Sequence, residues 1–330
     1  MEESEAGALK SCGQDDVADA CIRKEVIPWA QGSLETVKLA SPGDFVALKF
    51  TGAGSQALFD LKQKAPPSPA LKEAIDSICE LASARGIRLL FDAEQQAIQA
   101  GIDAWTLDYM RKYNGRTPGK AVVYGTYQAY LKATPSILAS HLAVARKENL
   151  TLGIKLVRGA YLGSDPRHLI HDTKTDTDNA YNGIAAALAK RAYSPPLQAQ
   201  DGETAFPPVN VVLAGHNHTS VRKIQDLRTA QAQSGEEQTD LVYAQLQGMA
   251  DEISCELVQV GKVDVEKANV KTDIPKAYKY LVWGTSGECL KYLLRRANEN
   301  KEAAQRTKEG RDAMAAELVR RVKARFGFSG

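Results

Sequence analysis

Near the carboxyl end the chain reads YLLRRANEN, residues 292–300, with Arg295 and Arg296 side by side. Tyr292, Arg295, Arg296 and Glu299 are three and four residues apart, which sets them along one side of a helix. Two neighbouring guanidinium groups repel each other, and Glu299 compensates only part of that charge. A small carboxylate or phosphate would complete the balance, since the planar forks pair with it bidentately. The same spacing also suits a solvated helix face laced with ion pairs. Just upstream, TSGE at 285–288 has the spacing of a capping box and predicts a helix start near Ser286.

A second group of chemistry-bearing residues lies in KLVRGAYL at 155–162. A strand ending in Lys155 and Arg158, then Gly159-Ala160 and Tyr161, puts cations beside a bare backbone where the chain turns. Close approach to a bulky planar ligand would explain the Gly-Ala pair, and so would a simple turn.

These residues need a frame. Short apolar runs occur at 44–50, 86–92, 121–127, 152–157, 209–215, 241–246 and 277–283, and they read as strands. Between them, 71–84, 94–112, 136–148, 178–192 and 218–233 carry apolar residues mostly at helical spacing. Alternating strand and helix predicts an α/β fold with a parallel sheet. An open dinucleotide-binding sheet should show GxGxxG, and TGAGSQ at 51–56 lacks the third glycine, so it is read as a glycine-rich turn. Lys49, Asp92, Lys155 with Arg158, His216, Gln245 and Tyr280 instead gather at the carboxyl ends of many different strands. A barrel active site requires that distribution, because all its strand ends converge on one face. The proline-rich stretch 191–210 is read as a surface insertion and 62–69 as another loop.

Composition removes several function classes. The 330 residues are 44% hydrophobic and 25% charged, and 42 basic residues against 40 acidic ones leave a formal charge of +2. That balance favours neither nucleic acid nor an anionic membrane. Five widely spaced cysteines form no CxxC pair, and His168/His171 and His216/His218 lack metal-site context, so the cysteines are read as reduced and intracellular and no metal is expected. No apolar run reaches the roughly 20 residues a bilayer needs, and the acidic start MEESEAG is neither a signal nor a transit peptide.

Taken in order, FVALKF, LLFDAEQ, VYGTYQAYL, KLVRGAYL, LAGHN, YAQLQGM and YKYLVWG with YLLRRANEN resemble the eukaryotic, mitochondrial-type proline dehydrogenases, from about residue 44 to about 300. The resemblance implies one distorted (β/α)8 TIM-like barrel domain that oxidises L-proline to 1-pyrroline-5-carboxylate with FAD. Residues 1–43 would be a helical segment ahead of it and 310–330 a C-terminal tail. It also implies a membrane quinone as electron acceptor and a place on the matrix side of the mitochondrial inner membrane, and it leaves the oligomeric state open. By motif match, Arg295 and Arg296 would hold the substrate carboxylate together with Lys49, and Asp92 and Glu299 would anchor the arginines. Tyr280 and Tyr292 would close over the proline ring, with Leu246 as an apolar wall. Lys155, Val157, Gly159, Ala160, Tyr161, Gly215 and His216 would line the FAD.

Two departures from the family pattern are expected to matter. Bacterial members contact the flavin with a polar side chain near the position of Gly125. The family's first barrel strand should precede residue 1, so about seven strands, an open seam and weak cofactor retention are expected of this chain alone. The alternatives are a non-catalytic fragment of the same fold and an aldolase-like barrel using Lys155 or Lys49 as a Schiff-base amine.

Overall fold

Each of the seven apolar runs is a strand: β1 (Phe45–Leu48), β2 (Arg88–Phe91), β3 (Val123–Gln128), β4 (Leu152–Val157), β5 (Val209–Ala214), β6 (Asp240–Leu246) and β7 (Lys276–Tyr280). Their order in the sheet is their order in the chain. The computed structural model describes residues 20–200, 202–260, 273–299 and 304–325. The helices of those segments are α1 (Ile27–Leu39), α2 (Ser55–Gln63), α3 (Pro69–Arg85), α4 (Gln96–Tyr113), α5 (Thr134–Lys147), α6 (Lys174–Lys190), α7 (His218–Ser234), α8 (Asp251–Val260), α9 (Ser286–Glu299) and α10 (Ala304–Arg325). Parallel strands alternating with helices make an α/β fold of the barrel type, as the pattern predicts. By compactness the chain divides into two units, Met1–Leu213 with Glu237–Leu241, and Ala214–Glu236 with Val242–Gly330.

In the first unit β1 pairs with β2, β2 with β3, β3 with β4 and β4 with β5, all in parallel. All six residues of β3 are buried, as a strand covered on both faces requires. Asn114, at the end of α4, fixes where β3 starts. Its amide donates to the carbonyls of Val123 and Thr151 at 2.8 and 3.0 Å and accepts from the N–H groups of Val122 and Val123 at 2.9 Å. A buried amide with all its capacity used in this way sets register without an unsatisfied polar cost. Gly101 brings α4 onto α2, because a Cβ there would sit 2.2 Å from the Leu61 carbonyl oxygen. Below the end of β1, Phe50 packs edge-on against Phe91 and Trp105 with centroids 5.0 and 5.3 Å away. The Trp29 indole of α1 donates to the Lys49 carbonyl at 3.1 Å. Lys49 thus stands on an aromatic platform.

In the second unit β6 pairs with β7 in parallel, from Val242↔Lys276 to Leu246↔Tyr280. A buried ion pair holds α7 to the segment before β7, with Arg228 donating to both Asp273 oxygens at 2.9 Å. Bidentate geometry of this kind offsets the cost of desolvating both charges.

The expected loop at 62–69 is shorter, 64–68, because α2 runs to Gln63 and α3 starts at Pro69, and a loop lies within 191–210 as expected. Four helices were not resolved by periodicity: α1, α2, α8 and α10. α1 buries only Val37 and carries almost no stripe to read.

Burial also governs a titration in the first unit. The Tyr127 hydroxyl and His141 Nδ1 are 2.7 Å apart in the core between β3 and α5. Desolvation lowers the His141 pKa from 6.5 to about 4, with Arg111 adding to the shift. The unfolded chain therefore takes up a proton near pH 6.5 that the folded chain refuses until about pH 4. The contribution is whole above the first value and lost as pH falls toward the second. Urea unfolding at neutral pH and near pH 4 should show a loss of about 3 kcal/mol traceable to this residue. In His141→Asn that part of the pH dependence should vanish.

Candidate active site

In the first unit one carboxylate organises the strand ends. Asp92 follows β2 and is 6% exposed. One of its oxygens accepts from Lys49 Nζ at 2.8 Å, the other from Lys155 Nζ at 2.5 Å. Parallel register makes this meeting possible, since Lys155 lies opposite Thr126 of β3 and Asp92 directly follows Phe91, which lies opposite Gly125. Burial by itself would raise the Asp92 pKa, but the ammonium groups of Lys155 and Lys49 outweigh it and hold the carboxyl below its ordinary value. Desolvation opposes charge on Lys49 as well, and Asp92 overcomes it, so that ammonium is held above its usual range. The described partners of Asp92 are thus two lysines.

The segment after β4 is built to expose backbone. Arg158 is committed to structure: it donates to Asp178 Oδ1 at 3.1 and 2.8 Å, and its guanidinium lies 4.4 Å over the Tyr181 ring. Gly159 has φ +154°, and a Cβ there would sit 2.4 Å from the Tyr130 ring. The bare backbone is therefore demanded first by Tyr130, whose hydroxyl is in turn held by Asp165. Ala160 N donates to Gln128 Oε1 at 3.0 Å.

Gln128, the last residue of β3, was missed in the sequence. It is 3% exposed, and its Nε2 is a buried donor with no acceptor among the described residues. An unmade buried hydrogen bond costs about 1–3 kcal/mol, so this amide fits a ligand presenting an acceptor. Gly125 is no substitute, since a Cβ on it would point into α4, 3.2 Å from Thr106 and 3.5 Å from Met110. The available signal was the glutamine in VYGTYQAYL, three residues beyond the glycine and at the strand end.

The second unit holds a cavity of about 250 Å³. Leu246 from β6, Tyr280 from β7, and Tyr292 and Arg296 from α9 line it together. The predicted capping box places the helix: Glu288 N donates to Thr285 Oγ1 at 3.4 Å, and Thr285 N donates to Glu288 at 2.9 Å. From that start Tyr292 and Arg296 fall one turn apart, with the guanidinium 5.6 Å from the ring centroid. The floor is tied by a backbone bond from Gln247 N to the Tyr280 carbonyl at 3.1 Å and by the Lys279 side chain, whose Nζ donates to the Met249 carbonyl at 2.9 Å. His216 Nε2 accepts from Leu246 N at 3.0 Å, which makes it the unprotonated ring nitrogen and pins the end of β6. Gly215 N donates to the Ala244 carbonyl at 3.0 Å. The side chains of Arg295 and Glu299 lie outside the described residues. A pocket with an arginine at one side and two tyrosines and a leucine around it suits a small, partly apolar carboxylate.

Solved structures place the fold. Proline utilization A from Bdellovibrio bacteriovorus is similar over 84% of this chain and 28% of that one, with a TM-score of 0.61 at 18% identity. Proline utilization A from Bradyrhizobium japonicum is similar over 85% of this chain and 27% of that one, with a TM-score of 0.60 at 20% identity. The architecture is therefore that of an α/β barrel domain within larger proteins. Residues 6–309 match the family model for proline dehydrogenase, and the chain belongs to that family. It is 37% identical over 256 residues to the probable mitochondrial proline dehydrogenase of Schizosaccharomyces pombe, covering 76% of this chain and 50% of that protein. It is 31% identical over 255 residues to the human mitochondrial proline dehydrogenase 1, covering 76% and 38%. The chain spans half the length, or less, of these relatives.

Removing the shared carboxylate should be costly. Asp92→Asn leaves two ammonium groups facing a neutral amide, and breaking a buried pair in this way costs about 3–5 kcal/mol. Lys155→Met should cost more than Lys49→Met, because the Lys155 side chain is 13% exposed and that of Lys49 is 47%. Urea unfolding of the three variants tests this order, and equal losses for the two lysines would overturn it.

Proposed function

We propose that the chain oxidises L-proline to 1-pyrroline-5-carboxylate with FAD. The observation that carries this reading is the pocket in which Arg296, Tyr280, Tyr292 and Leu246 meet, inside a chain of the proline dehydrogenase family. In it Arg296, with Arg295 beside it on the helix, binds the proline carboxylate. Tyr280 and Tyr292 pack on the apolar ring and Leu246 closes the wall. These contacts orient the carbon next to the ring nitrogen and keep water from it.

The residues of the first unit fit a flavin. The Gln128 amide supplies a donor, Val157, Gly159, Ala160 and Tyr161 supply a wall with little bulk, and Lys155 supplies a cation held in place by Asp92. Gly215 and His216 are the flavin residues proposed for the second unit. No side chain accepts a hydride, and bound FAD supplies that electron acceptor. The fixed Lys155 ammonium favours extra electron density beside it. A quinone as final acceptor and a place on the matrix side of the mitochondrial inner membrane belong to the same proposal, and the relatives' names support its mitochondrial part alone. Among the described residues no helix is long and apolar enough to cross a membrane.

A visible absorbance spectrum of the chain saturated with FAD is the first test, and a protein-bound flavin band that is held weakly and releases FAD on denaturation is expected. In the spectroscopic comparison, Arg296→Met should keep the flavin band while raising KM for L-proline by about tenfold to a hundredfold, the loss of a charged hydrogen bond worth about 1.5–3 kcal/mol. Unchanged proline kinetics would remove the carboxylate assignment.

Tyr280 sets a second expectation, since a phenol packed on the ring leaves little room for a ring hydroxyl. Proline should be preferred to 4-hydroxyproline, and Tyr280→Ser should narrow the ratio of their kcat/KM values. A ratio unmoved by the substitution would defeat the steric argument.

A further inference from the structure

Four consecutive residues, Leu246, Gln247, Gly248 and Met249, form one stretch of the wall of the cavity in the second unit. They make the tight turn by which the chain leaves β6, closed by Met249 N donating to the Leu246 carbonyl at 3.1 Å. Gly248, at the third position, has φ +72°, the left-handed backbone that a turn of this shape demands. The chain then passes through Ala250, at φ +50°, before α8 begins at Asp251. A left-handed alanine persists only where its surroundings hold it.

Lys279 of β7 supplies that hold. In the parallel register it lies opposite Gln245, with Tyr280 opposite Leu246. Its Nζ donates to the Met249 carbonyl at 2.9 Å and to the Leu246 carbonyl at 3.5 Å, the two ends of the turn, and to Asp251 Oδ1 at 2.6 Å. An ammonium has three donors, and here each has an acceptor. Lys279 is not on the cavity wall, so it acts on an occupant only through the turn. Tyr292 and Arg296 line the cavity from α9, whose start is fixed by its own capping box. The room left to a ligand therefore depends on two anchors, the capping box for the helix and Lys279 for the turn.

We propose that Lys279 is a positioning residue which, given the assignment of this pocket to proline, sets the room beside Arg296 and with it the preference for a five-membered over a six-membered ring carboxylate.

Isothermal titration calorimetry with cyclopentanecarboxylate and cyclohexanecarboxylate tests this. Neither probe has a ring nitrogen, so binding is read without turnover. The unaltered chain should prefer the smaller ring by roughly tenfold, the discrimination one methylene allows in a close-fitting pocket. Lys279→Met keeps most of the stem and removes the three donors, and it should shrink that preference to about threefold or less. A role in stability alone would weaken both rings equally, and a ratio unmoved by Lys279→Met overturns the proposal. If that variant fails to fold, Asp251→Asn, at an exposed position, loosens the same contact and should also narrow the ratio; a ratio equal to that of the unaltered chain again overturns it. Binding of neither ring by the unaltered chain would sink the assignment of the pocket, and the role of Lys279 with it, whereas selective binding with an unmoved ratio sinks the role of Lys279 alone.

Discussion

A single buried carboxylate holding two ammonium groups governs the first unit. Asp92 sits where water cannot solvate it, and its charge survives only because Lys49 and Lys155 each take one oxygen. The three residues come from the ends of β1 and β2 and from β4, so the contact exists only while those strands keep their parallel register. Site and sheet therefore stabilise each other. The pair also carries a net positive charge, fixed in direction at the strand ends, which is where a reaction that builds negative charge on a bound ring would need it.

Around this contact the structure uses side chains to free the backbone. Arg158, which on paper resembles a second site cation, is spent on Asp178 and the Tyr181 ring. That anchors the chain just after β4. Tyr130 then presses on Gly159, and Gln128 receives Ala160 N, so the turn is held from one side and left bare on the other. The Gly-Ala pair is thus explained by packing before any ligand is invoked.

The second unit solves a different problem, that of placing a cation beside an aromatic ring at the ends of β6 and β7. It does so with a helix whose first turn is fixed by Thr285 and Glu288 and whose next turns present Tyr292 and Arg296. The carbonyl of Tyr280 and the N–H of Leu246 are both taken, by Gln247 and His216, so the strand ends that bear the pocket residues are held by their backbones. Side chains held through rigid main chain keep their positions when a substrate enters or leaves.

What was legible in the sequence is what depends on neighbours along the chain. The seven strands showed as short apolar runs, five helices as periodic stretches, and the start of α9 as TSGE, because period, capping and turn chemistry act over a few residues. The proximity of Tyr292 and Arg296 was legible for the same reason. α2 was not, since it accepts α4 through Gly101, and α1 was expected only from the family resemblance, since it hides little beyond Val37 and shows no stripe. The partners of Asp92 were out of reach as well, being 43 and 63 residues away, as was the unsatisfied amide of Gln128. Sequence alone determined the α/β class and the family, and it named Leu246, Tyr280, Tyr292 and Arg296, which line one cavity. Only the tertiary structure decided which charges meet and which donors stay unpaired, because strand register and helix approach bring together groups that no local pattern links.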